Sequence, residues 1–136
     1  MKSWFAVVMV ALAVPVAALA FDDDKETPTI KAVMKKLHKG STSESSVLKK
    51  QAQANPLDWE AIGKTTKDFV ILGASLAKND PPKGDKESWK KLATKYFDNA
   101  KELDDAASAK DLAKLQAAQK TMGASCKACH SAHKDD

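Results

Sequence analysis

Apolar residues recur at intervals of three and four along most of this chain, the signature of helices that each bury one face. Ile30, Val33, Met34 and Leu37 follow Pro28, which suits a first helical position, and the run stops at Gly40. The serine-rich stretch 40–46 reads as a loop, and Val47 to Ala54 as a further helical piece that Asn55-Pro56 breaks. Trp59, Ile62, Phe69, Leu72 and Leu76 form the stripe of a second main helix, opened by Asp58 and closed near Lys78. Asn79-Asp80-Pro81-Pro82-Lys83-Gly84 ends it, since two prolines and a glycine cannot continue a helix. Asp85 caps the third, whose stripe is Trp89, Leu92, Tyr96, Ala100 and Leu103, and a turn at Ala107 to Lys110 reverses the chain. The last helix carries Leu112, Leu115, Ala118 and Met122 and runs into Cys126 and Cys129 on nearly the same face. No stretch alternates with period two and no repeat of solenoid length appears. The expectation is an all-α fold, an antiparallel four-helix bundle.

The amino terminus has a different pattern. Met1 and Lys2 give a positive start, Trp4 to Val14 are apolar without interruption, and Ala18-Leu19-Ala20 offers the small residues a signal peptidase reads. The apolar run is shorter than the roughly 20 residues needed to cross a bilayer, and Pro15 interrupts its end. Residues 1–20 are therefore expected to be a cleavable signal peptide, leaving 21–136 as one exported domain with no membrane span. Phe21 to Thr27, with three consecutive aspartates, reads as a polar lead-in.

Charge narrows the partners. The formal net charge is +4, Lys2 included, too small an excess to argue for nucleic acid or an anionic membrane. All 22 basic residues are lysine, so no guanidinium fork is present to grip a phosphate or carboxylate through two bonds, and phosphate chemistry is disfavoured. The lysine pairs Lys35-Lys36, Lys49-Lys50 and Lys90-Lys91 suit a solvated face, with steering of an acidic partner as a further use.

Both cysteines of the chain fall in Cys126-Lys127-Ala128-Cys129-His130, the C-x-x-C-H spacing of c-type haem attachment. Cysteines three apart on a helix share a face, so both sulfurs can bond one porphyrin edge while the next residue brings its imidazole to the iron. A zinc site of Cys126, Cys129, His130 and His133 would spread its outer ligands about 10 Å along a helix, too far for one tetrahedral ion. A redox-active C-x-x-C wants its first cysteine at a helix amino terminus in a strand-helix unit, and here the pair lies at the far end of a helix. A simple disulfide leaves His130 and the export signal unconnected.

The stretch Gly123-Ala124-Ser125-Cys126-Lys127-Ala128-Cys129-His130 resembles the haem-attachment helix of the class II c-type cytochromes, the cytochrome c-prime family, which carries the motif close to the chain end. The resemblance implies a four-helix bundle around covalently bound haem c, one per chain, with thioether bonds from Cys126 and Cys129 and His130 as an axial iron ligand. It assigns the opposite side of the iron to the first helix. Relatives with a methionine there are six-coordinate electron carriers, whereas those with a non-coordinating apolar residue stay five-coordinate and bind NO or CO. Met34 falls at that place and is the expected sixth ligand, against the plainer reading that it fills core. Many relatives have an arginine one turn before; here Ile30 stands there, with Lys31 beside it. His38 is expected to be a partly exposed residue near the helix end and His133 to face solvent, neither of them a site residue. Trp59, Phe69, Trp89 and Tyr96 are expected to pack around the porphyrin. The expected function is single-electron transfer by Fe(II)/Fe(III) cycling in the periplasm with redox proteins as partners and no catalytic residues. The alternative is a five-coordinate protein binding NO or CO, and the resemblance also allows a homodimer.

Overall fold

The computed structural model describes residues 26–135, so the expected signal peptide and its cleavage point lie outside the described residues. These residues form five helices, and among them there is no strand: α1 (Ile30–His38), α2 (Glu44–Gln51), α3 (Trp59–Leu76), α4 (Lys86–Ser108) and α5 (Leu112–His133). Each begins where a short polar side chain accepts a hydrogen bond from an otherwise orphaned backbone N–H: Thr29, Ser43, Asp58, Asp85 and Asp111. Pro28 thus precedes the first cap rather than starting the helix.

The stretch 40–46 is not all loop. Gly40 at φ +90° turns the chain, Ser43 caps at once, and α2 starts at Glu44, three residues before the expected Val47. The carboxylate of Glu44 favours the positive end of α2 and pairs with Lys36 of α1, tying the two together. α2 is therefore a separate short helix across the end of the bundle, not a continuation of α1. The α3 stripe ends at Leu76 as expected, but the helix ends there too, so Lys78, expected in its last turn, lies beyond it.

Four helices make the bundle. Pro28 accepts from Asn79 while His38 meets Phe69, so α1 and α3 run antiparallel. Trp89 donates to the Leu76 carbonyl at one end of the α3–α4 pair, and Thr66 donates to Asp104 at the other. The turn at Lys110, in the left-handed region at φ +52°, then sends α5 back along α4 until His133 reaches Ser88. The buried core is drawn from every helix: Val33 and Leu37, Leu48, Ile62 and Phe69, Trp89 and Leu103, Leu115 and Met122. Such burial stabilises by about 25 cal/mol per Å² of apolar surface. α3 and α4 pack closely because Gly73 leaves room for Tyr96, whose Cε1 lies 3.2 Å from where a Cβ would stand. The Cα atoms of α1 and α5 do not approach within 8 Å of each other.

Candidate haem-attachment site

Cys126, Cys129 and His130 lie in the last two turns of α5, a helix of Leu112–His133 started by the Asp111 cap. Both thiols are free and half-buried. The Cys126 thiol points toward the Met122 carbonyl, 3.6 Å away, and Cys129 packs against the core. Burial, and then the neighbouring Cys126, push the Cys129 thiol up from its ordinary value. A Cys129 held as neutral thiol is not a ready thiolate nucleophile, which counts against a redox-active C-x-x-C. His130 is exposed, and among the described residues neither of its ring nitrogens has a hydrogen-bond partner.

The other two histidines are fully engaged. His38 Nε2 lies 2.7 Å from the Tyr96 hydroxyl and Nδ1 lies 2.7 Å from Ser45 Oγ, with Phe69 edge-on to the ring. Burial, and next the positive charge His130 can carry, lower His38 below its usual value, so it is the neutral imidazole that the site holds. His133 is 2% exposed, not solvent-facing as expected, and bonds Lys83 and Ser88. With both nitrogens of each taken, neither His38 nor His133 offers a lone pair to a metal, and no cluster of three or more potential metal ligands is found among the described residues.

Met34 is partly buried at the edge of the core, while its neighbours on α1, Val33 and Leu37, are fully buried. Its height in the bundle follows from the contacts around His38. Tyr96 meets His38, and with His133 against Ser88 on the antiparallel α5 and α4, seven or eight residues along each helix bring Cys126 to the height of Tyr96, so His38, Tyr96 and Cys126 share one level. Met34 precedes His38 by four residues and His130 follows Cys126 by four. On antiparallel helices both are displaced by about 6 Å in the same direction. A crevice of about 410 Å³ between α2 and α5, with Phe69 and Leu103 in its lining, begins at Met122 and Gly123, one turn short of Cys126.

Residues 83–134, which span α4 and α5, match the family model described as Cytochrome C'. Over these two helices the chain is similar to the cytochrome c-prime family. Proteins of that family carry covalently attached haem c, and the donor set here fits the group: two free thiols on one helical face, followed directly by an imidazole with unengaged nitrogens. No curated protein and no solved structure matches the chain. The matched segment contains every expected site residue but Met34, which lies outside the match. Among the described residues no helix is long and apolar enough to cross a membrane.

Two residues that matter to the site were not singled out from sequence. His133 continues the stripe Leu115, Ala118, Met122, Cys126, Cys129, so its position pointed inward while its polar type pointed out. His38 follows the buried Leu37, and the partners Ser45, seven residues on, and Tyr96, 58 residues away, draw it in.

Proposed function

We propose that the chain is an exported monohaem c-type cytochrome that carries single electrons, with haem c bonded to Cys126 and Cys129, His130 as one axial ligand and Met34 as the other. The observation that carries this reading is the pair of free, half-buried thiols followed by the one histidine whose ring nitrogens are unengaged, within the matched segment. Haem c supplies a one-electron iron couple when bound. The chain's own residues hold the ring edge through two sulfurs, orient an imidazole, and surround the site with apolar side chains that exclude water. A thioether opposite an imidazole favours the ferrous state and raises the potential. The equal displacement of Met34 and His130 from the His38–Tyr96 level supports the pairing. The leader pattern of residues 1–20 supports export to the periplasm, where redox proteins are the partners.

One observation favours the second reading, a five-coordinate protein that binds NO or CO: the fully buried residues of α1 are Val33 and Leu37, which cannot coordinate, and Met34 lies at the core's edge. Optical spectra of the oxidised and reduced protein, with and without carbon monoxide, separate the two. A low-spin spectrum with a sulfur-to-iron band that resists the gas is expected for Met34 ligation. A high-spin spectrum that changes at once on adding the gas would replace it with the gas-binding reading.

A further inference from the structure

The final turn of α5 is held by contacts that the haem reading does not use. His133 Nδ1 lies 3.0 Å from the Lys83 carbonyl and Nε2 lies 3.1 Å from Ser88 Oγ. A carbonyl only accepts, so Nδ1 carries the proton and donates it, and Nε2 accepts from the serine hydroxyl. The ring meets Trp89 edge-on, centroids 5.5 Å apart, and Trp89 in turn donates to the Leu76 carbonyl at 3.1 Å. The end of α5 is thus fastened to the loop before α4, to the first turn of α4 and, through Trp89, to the end of α3. Gly84 is required for this approach: it sits at φ +85°, and a Cβ there would stand 2.7 Å from the Ala132 carbonyl and 2.8 Å from His133 Nδ1.

His130 is three residues from the end of α5, where the last four carbonyls of a helix lack successors to bond them. The Lys134 N–H bonds the His130 carbonyl at 3.1 Å and is the last such bond. A side-chain tip stands about 5–6 Å from a helix axis, so a twist of roughly 10° moves it about 1 Å. Metal and cofactor sites need ligands fixed to within about 0.5 Å. Three residues apart, His130 and His133 project about 60° from one another on the same turn. Holding one azimuth holds the other.

We infer that His133 is a positioning residue for His130: its clamp on the Lys83 carbonyl, the Ser88 hydroxyl and the space over Gly84 sets the order and azimuth of the turn that presents the axial imidazole. The inference rests on the reading of His130 as an iron ligand. Lys83 and Ser88 touch His133, not His130, and act on it through the helix.

The test uses the full-length holoprotein and the variants His133→Ala, His133→Asn, Ser88→Ala and Gly84→Ala, each checked by mass for attached haem. His133→Ala is expected to keep the haem mass while showing a second axial-ligation species by electron paramagnetic resonance, a shifted reduction potential, and at least tenfold faster amide exchange at residues 129–133. Gly84→Ala is expected to reproduce it from the other side of the contact. An asparagine amide can still donate to the Lys83 carbonyl, so His133→Asn is expected to return most of the single wild-type species. If His133→Ala does not accumulate, Ser88→Ala, which loses one of the two bonds, is read by the same measurements. A wild-type spectrum and potential in these variants, with only a lower melting temperature, would make the clamp merely structural and overturn the inference. Wild-type protein lacking the haem mass would overturn both it and the ligand reading, which keeps the two failures apart.

Discussion

The His38 imidazole and the Tyr96 hydroxyl meet at 2.7 Å, joining α1 to α4, whose backbones do not otherwise come within 8 Å of each other. Because Ser45 takes the other ring nitrogen, three helices converge on one neutral histidine. The bond also fixes the height of α1, and with it the position of Met34.

Removing the hydroxyl tests that role. Tyr96→Phe leaves a largely buried ring nitrogen without its partner and is expected to lower stability by about 1–3 kcal/mol. Urea unfolding of wild type and variant measures the difference, and an unchanged midpoint would show that the bond contributes nothing.

Gly73→Ala is expected to act on the same bond indirectly. The added methyl would stand 3.2 Å from Tyr96 Cε1, so the ring must shift or the helices part, at a cost of about 1–3 kcal/mol. Combined with Tyr96→Phe, the loss should fall short of the sum, because both changes break one interaction.

Acid should weaken the fold through His38. Its folded value is lowered by burial, then by His130, so the unfolded chain binds the proton more readily. The contribution is fully present above the unfolded value of about 6.5 and is lost as pH falls from there through the folded value. Urea midpoints between neutral pH and about pH 5 should fall with pH in the wild type and fall less in His38→Gln.

Tyr96 should resist alkali. It is the single tyrosine, and above all burial raises its phenol. Phenolate formation, followed by difference absorbance, is expected only as the protein unfolds. Ionisation near pH 10 in the folded protein would contradict the burial described.

Ligation by Met34 makes a sharp spectral expectation. Met34→Ala should convert a low-spin oxidised spectrum to high-spin, lower the reduction potential and admit carbon monoxide, while Cys126→Ser with Cys129→Ser should yield polypeptide without the covalent haem mass. A Met34→Ala protein that stayed low-spin and unchanged would remove Met34 from the iron.

The sequence by itself determined the helices and the candidate attachment residues. Apolar residues at three- and four-residue spacing and polar caps such as Asp58, Asp85 and Asp111 act locally, within one or two turns, as do the two thiols and the imidazole of Cys126 to His130. Tertiary structure decided what the polar residues do. His38 and His133 are of a type that ordinarily sits at the surface, yet His133 is buried and His38 partly so, because hydroxyls from other helices and a loop carbonyl satisfy their ring nitrogens. Partners 45 to 58 residues away leave no trace in local spacing, and neither does the level at which antiparallel helices meet. Those contacts arise only once the core has set the register of the bundle.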